Sequence, residues 1–255
     1  MIEVNPVSIP LSELFLNQNL HYIKASALNM KTIAVMNPKG GVGKSTLSIN
    51  IAGYFAHQKG LVTVVDTDPQ NSTKNWLHLR AETLPRINNL NLNTELLMNS
   101  KGELISKEED AESFKANLIQ VPYATTHVVI DSGANLAGWK LDSILERANK
   151  VVIPLQPSFF DIIATYEFIQ LLKLKPKFDF NKVCVIAMRV NPRTQAWNNL
   201  INFTDANKIE LLTYISDTQK YGYFAITGTC LFDFDKTKYS KDYEQWAPLC
   251  EWLNH

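Results

Sequence analysis

From Lys31 onward, short apolar runs rich in β-branched residues alternate with longer segments of helical periodicity. The runs Thr32–Met36, Leu61–Asp66, His127–Asp131, Val151–Leu155 and Val183–Val190 read as strands, and 46–58, 136–148, 160–174 and 194–205 read as helices. Val-Val-Ile and Val-Cys-Val-Ile-Ala stay apolar without alternating, as a parallel sheet buried on both faces requires. The pattern predicts an α/β fold, a doubly wound and mostly parallel sheet with helices on both faces and ligands at the carboxyl ends of its strands. Ahead of the first strand, Pro6 and Pro10 precede Leu11, Leu14, Phe15 and Leu20 at roughly helical spacing. Residues 1–29 are therefore expected to form an appendage with one short helix, and 30–255 the main domain. The pattern is least legible between 81 and 126, where a turn at Ser100-Lys101-Gly102 and a charged helix near 107–118 are expected.

Composition narrows the picture slightly. The chain has 255 residues, 45% hydrophobic and 20% charged, enough for one sizeable core. Twenty-five basic residues balance twenty-five acidic ones, so nucleic acid binding would need a local patch. Cys184, Cys230 and Cys250 form no C-x-x-C pair, which suits buried thiols in a reducing compartment. No run of about 18 apolar residues marks a membrane span, and the N-terminus lacks the pattern of a signal peptide. A cytoplasmic protein without integral membrane association is expected.

The strongest chemistry follows the first strand, where Lys39-Gly40-Gly41-Val42-Gly43-Lys44-Ser45-Thr46 leads into an apolar helix. Glycines let backbone N–H groups converge on phosphate oxygens, and the helix N-terminus adds favourable dipole charge. Lys44 would reach the β- and γ-phosphates, and Ser45 would ligate Mg²⁺. The usual P-loop glycine is replaced by Pro38, and an extra lysine, Lys39, enters the loop. Here the chain resembles the ParA/MinD family of deviant Walker-A P-loop ATPases, whose loop reads K-G-G-x-G-K-[ST]. The resemblance implies that Lys39 contacts the nucleotide of the other subunit in an ATP-dependent homodimer.

Two carboxylates end the second strand, at Asp66-Thr67-Asp68-Pro69-Gln70, and a third, Asp131, ends another. Acids at such strand ends can hold metal-bound water or orient an attacking water. The family's D-x-D-P-Q segment implies that Asp68 places the hydrolytic water, with Asp66 in a supporting metal or positioning role and Asp131 near Mg²⁺. Where the family has D-[ST]-P-P or D-[ST]-P-A, this chain has Asp131-Ser132-Gly133-Ala134, which predicts a looser loop. The likeness continues through 152–161 and Met188-Arg189-Val190-Asn191-Pro192, and returns weakly at 221–228. Arg189 is carried over as a nucleotide contact near the base, although Met188 stands where many relatives have asparagine.

The resemblance is best to small ParA-type DNA-partition ATPases. It implies nonspecific DNA binding by the dimer and a small DNA-binding adaptor that stimulates hydrolysis. Lys173, Lys175 and Lys177, Arg193, and Lys236, Lys238 and Lys241 are the candidates for DNA contact. Lysines that end helices also complement the helix dipole, so each cluster has a purely structural reading as well. The tail from Tyr243 to Leu253 reads either as a MinD-type membrane helix or as core. Core packing is the expectation, because Pro248 interrupts it and its polar face carries Glu244 and Glu251. A MinD-like or cargo-positioning ATPase is the alternative function; no cysteine pair or tyrosine run supports redox or tyrosine-kinase relatives.

Overall fold

A computed structural model describes residues 30–91, 121, 122, 124–134, 136–176 and 178–255. The expected appendage, the turn at 100–102, the helix near 107–118 and Lys177 lie outside the described residues. Seven strands form one sheet: β1 (Lys31–Val35), β2 (Val62–Asp66), β3 (Ile87–Asn91), β4 (His127–Asp131), β5 (Lys150–Leu155), β6 (Val183–Val190) and β7 (Leu211–Ser216). Their order is β3-β2-β4-β1-β5-β6-β7, and every pairing is parallel. The apolar strands are buried along nearly their whole length because helices cover both faces.

Two core layers flank the sheet. On one face lie α1 (Lys44–His57), α2 (Ser72–Leu79), α6 (Lys220–Ile226) and α7 (Ser240–Asn254). They bury Leu47, Ile51, Phe55, Trp76, Phe224, Trp246, Leu249 and Leu253 against it. On the other face, α3 (Gly138–Arg147), α4 (Phe159–Lys173) and α5 (Gln195–Ala206) bury Leu141, Ile144, Phe168, Leu172 and Leu200. The helix α1 on one face and α3, α4 and α5 on the other carry the chain in opposite directions across the sheet, which keeps the crossovers one-handed.

The five strands and four helices expected from the pattern are present, with ends displaced by no more than two residues. Helix α7 confirms the tail as core, yet it runs straight through Pro248. The proline removes one helical hydrogen bond, but the buried stripe of Trp246, Leu249 and Leu253 outweighs that loss. Gly228, at φ +67°, closes this layer: a Cβ there would lie 2.3 Å from the Leu79 carbonyl carbon and 2.4 Å from the Arg80 nitrogen. The Trp76 indole donates to the Thr229 carbonyl at 2.9 Å, and the buried Arg80–Asp233 pair, with His57 on the same carboxylate, seals the junction.

Candidate nucleotide site

Strand β1 lies between β4 and β5, so its carboxyl end opens at the crevice where chain direction across the sheet reverses. The loop that follows stands on Asn37, which is fully buried. The Asn37 amide donates to the Pro154 carbonyl and the Thr165 hydroxyl, both at 2.8 Å, and its Oδ1 accepts the Lys39 N–H at 2.9 Å. Residues 33–35 of β1 pair with 150–152, so Pro154 lies beyond the β1–β5 ladder and the asparagine side chain takes its carbonyl instead. On the far side of the loop, the Gln156 amide donates to the Gly41 carbonyl at 2.7 Å.

Gly41 and Gly43 hold φ of +77° and +102°, the left-handed region that glycine occupies at no steric cost. A Cβ on Gly43 would approach Met188 Cε to 2.9 Å, so the loop is seated directly on the end of β6. Gly43 is the N-cap of α1, and the first helical N–H groups face the loop without side-chain caps, as a phosphate site requires. Buried Lys44 arches back to donate to the Lys39 carbonyl at 2.7 Å. Burial pushes its ammonium below the ordinary lysine range, while the charges of Asp131 and then Asp68 pull it back up. Lys44 and both acids thus sense one another across the crevice. The Lys39 ammonium makes no hydrogen bond or ion pair among the described residues.

The acids arrive from neighbouring strands, with Asp66 opposite Asp131 in the β2–β4 register and Asp131 opposite Val35 of β1. Asp66 is fully buried and committed: Oδ1 accepts the Asp68 N–H at 3.0 Å, and Oδ2 accepts the Thr73 hydroxyl at 2.6 Å and the Thr73 and Lys74 N–H groups. This carboxylate therefore caps α2 and shapes the turn that presents Asp68. Asp68 Oδ1 accepts the Gln70 N–H at 2.9 Å.

Asp131 is different. Ser48 donates to its Oδ1 at 3.1 Å, while Oδ2 and the neighbouring Ser132 hydroxyl are buried without a hydrogen-bond partner. Burial, reinforced by the Asp66 charge, pushes the Asp131 carboxyl up to about 7, against the pull of Ser45, Ser48 and Lys44. An orphaned buried carboxylate oxygen beside a loop serine is the donor set that a hard divalent cation seeks, so these residues fit Mg²⁺.

Gly133 does not form the loose loop that the missing proline suggested. It is buried, its N–H donates to the Thr67 hydroxyl at 3.3 Å, and its Cα side faces the Thr67 carbonyl and Asp68 Cα, which an added Cβ would meet at 3.3 and 3.4 Å. The two acidic loops are packed against each other at this glycine. Arg189 is exposed at a register irregularity of β6, with φ of +52°, at the same sheet edge as the phosphate loop.

The basic candidates do not gather into one patch. Lys173 and Lys175 stand at the amino edge of the sheet, opposite the site, with Lys175 bound to Asp142 at 2.5 Å and Lys173 over the Phe180 ring. Exposed Arg193 follows β6 at the carboxyl edge. Exposed Lys236 and Lys238, over the Tyr243 and Tyr239 rings, lead into α7, and exposed Lys241 lies in its first turn, which is also at the carboxyl edge, since Gln245 bonds Ser216 at the end of β7. Asn37, Ser48, Gln156 and the Gly43–Met188 contact were not foreseen from sequence. Only Asn37, a polar residue directly after an apolar strand, offered a signal.

The profile of the CobQ/CobB/MinD/ParA nucleotide binding domain matches residues 33–228. Maintenance of carboxysome distribution protein A from Gloeobacter kilaueensis is 27% identical over 164 residues, 64% of this chain and 65% of that protein. The chromosome-partitioning ATPase Soj of Treponema pallidum is 29% identical over 162 residues, 56% of this chain and 64% of Soj. Both alignments fall short of two thirds of the relative's length. Among solved structures, the Pyrococcus furiosus cell division ATPase MinD superposes with a TM-score of 0.60 at 14% identity, covering 88% of this chain and 98% of that one. An ATP complex of Cyanothece McdA gives 0.59 at 17% identity, covering 87% and 96%. At these identities the two structures speak for the fold alone.

Proposed function

This chain belongs to the CobQ/CobB/MinD/ParA nucleotide-binding domain family, and from that premise we propose that it is a Mg-ATP-hydrolysing switch that dimerises on ATP. The observation that carries the reading is the crevice itself, where Lys44 lies between a glycine loop and the carboxylates of Asp68 and Asp131. In this reading the amides from Gly40 to Thr46 and the Lys44 ammonium hold the β- and γ-phosphates. Ser45 and Asp131 would hold Mg²⁺, and Asp66 acts from behind by fixing α2 and Asp68. Bound Mg²⁺ would neutralise charge on the phosphate oxygens. Asp68, on its short turn, orients the attacking water, and Arg189 lies at the base end of the nucleotide. Lys39, whose ammonium has no partner of its own among the described residues, reaches the nucleotide of a second copy.

The ATP dimer acts in DNA partition, gripping duplex without reading sequence and being released when a small DNA-binding adaptor stimulates hydrolysis. Support comes from relatives named for chromosome partition and from the basic residues at the carboxyl edge, Arg193, Lys236, Lys238 and Lys241. The alternative, a positioning ATPase on another scaffold, is supported by the carboxysome-distribution relative. A membrane role for the tail is disfavoured, because the apolar face of α7 is spent in the core and no helix among the described residues is long and apolar enough to cross a membrane. The test is retention of random-sequence duplex with and without Mg-ATP across a salt series. ATP-dependent retention with a log–log salt slope near −0.9 per neutralised phosphate is expected. Absence of retention at low salt would leave the positioning reading.

A further inference from the structure

The first turn of α4 exposes two adjacent phenylalanines beside the phosphate loop. Phe159 and Phe160 are 71% and 76% exposed, and their rings meet edge to face at 5.6 Å, touching each other and little else. Large aromatic side chains in adjacent exposed positions cost solubility, and such a patch marks an interaction surface.

The pair is held rigidly relative to the nucleotide site. Ser158 caps α4 by accepting the Asp161 N–H and donating to its carboxylate at 2.6 Å, so the first turn is fixed. Two residues earlier, Gln156 is tied to the Gly41 carbonyl of the phosphate loop. Nearly two turns into the helix, Thr165 accepts from Asn37, whose Oδ1 holds the Lys39 amide. The turn that displays the phenylalanines is therefore braced against both ends of the loop that carries Lys39.

We propose that Phe159 and Phe160 bury themselves against a second copy of this chain, forming the apolar anchor of the nucleotide-bound dimer next to Lys39. The inference rests on the ATP-dimer reading above and names a contact surface within it. Three features select a second copy as occupant. The same carboxyl edge carries an unpaired cation, Lys39, and the acids Asp68 and Asp161, so a copy turned about a two-fold axis can set cation against acid. Four such rings across a two-fold interface supply roughly 600 Å² or more, about half of what a stable interface needs, and the phosphate loops supply the rest. An anionic lipid surface would need basic residues flanking the rings, whereas the first turn of α4 carries only the acid Asp161.

The test compares wild type, Phe159→Ser/Phe160→Ser and Phe159→Leu/Phe160→Leu by light scattering and sedimentation with Mg²⁺ and a non-hydrolysable ATP analogue. Both residues are exposed, so the variants should keep the melting temperature and the nucleotide affinity of the monomer. The serine variant is expected to dimerise about 100-fold or more weakly, a hot-spot loss of roughly two factors of ten, with much of it restored by leucine. Nucleotide-dependent dimers of equal strength in wild type and serine variant would overturn the assignment while leaving the dimer reading intact. A wild type that stays monomeric with nucleotide would overturn both. Normal dimers combined with lost binding to phosphatidylserine vesicles would overturn it in favour of a lipid surface.

Discussion

Replacing Asn37 with alanine should damage both the stability of this protein and its grip on nucleotide. The side chain is fully buried and makes three hydrogen bonds, to the Pro154 carbonyl, the Thr165 hydroxyl and the Lys39 amide. Truncation strands the Pro154 carbonyl and the Thr165 hydroxyl in a site closed to water. Each such orphan costs about 1–3 kcal/mol, so the pair amounts to roughly 2–6 kcal/mol. Against a total stability of about 5–15 kcal/mol, that is a large fraction, and the urea midpoint of the nucleotide-free protein should fall by about an eighth or more. Asn37→Asp is the informative companion. It still accepts from Lys39, but its second oxygen confronts the Pro154 carbonyl, so it should do no better than alanine near neutral pH. ATP affinity measured by calorimetry well below the melting temperature should also weaken, because the first amide of the loop loses its anchor. A loss of less than 1 kcal/mol with unchanged ATP binding would refute the idea that this residue holds the loop in place.

Asp68→Ala should bind Mg-ATP nearly normally but cleave it about 10² to 10⁴ times more slowly in single-turnover assays; near-normal cleavage would place the water elsewhere. Lys44→Ala should lose most Mg-ATP affinity, whereas Lys39→Ala should bind ATP and remain monomeric, which calorimetry and light scattering separate. Gly228→Ala should lower stability by roughly 2–4 kcal/mol, since the new Cβ collides with the Leu79–Arg80 backbone at a left-handed residue; an unchanged melting temperature would contradict that packing. Burial, and then the Lys31 charge, depress the His127 imidazole below its ordinary range. The folded state thus binds this proton less readily than the unfolded chain. The resulting stability is complete above the unfolded value near 6.5 and is lost as pH falls through the folded one. His127→Gln should flatten that acid limb in denaturation curves taken from pH 7 to 5, and an unaltered limb would assign the effect to other groups.

Elements buried on both faces were the legible ones. Strands such as Val151–Leu155 announce themselves because a doubly covered strand must be apolar throughout, and the phosphate loop because its glycines serve backbone geometry rather than packing. Strand β3, Ile-Asn-Asn-Leu-Asn, escaped notice because it lies at the sheet edge, where half of its positions can be polar. Strand β7 lies at the other edge, and its residues are mostly half-buried. Helix α2 was hidden for another reason. Its N-terminus is capped by Asp66 six residues upstream, a contact that exists only once β2 and the helix have met. Side-chain braces such as Gln156 to Gly41 join positions 115 residues apart, and nothing local marks them. The scatter of the lysines has the same origin, since 173–175 and 236–241 fall on opposite edges of the sheet only through the path of α4 and α7.

The placement of β1 between β4 and β5 divides labour within the site. The three acids that face Lys44 or one another in the crevice, Asp66, Asp68 and Asp131, come from one half of the sheet, through β2 and β4, while Gln156, the paired phenylalanines, Met188 and Arg189 come from the other, through β5 and β6. The loop between them belongs to neither half. On the proposed function, evolution can therefore retune the clock and the grip separately. Changes in the acidic half would then alter how long the nucleotide persists, and changes in the opposite half what the protein holds while it does. A hybrid that joins the first half of this chain to the second half of a relative should keep its own timing and inherit the relative's attachments.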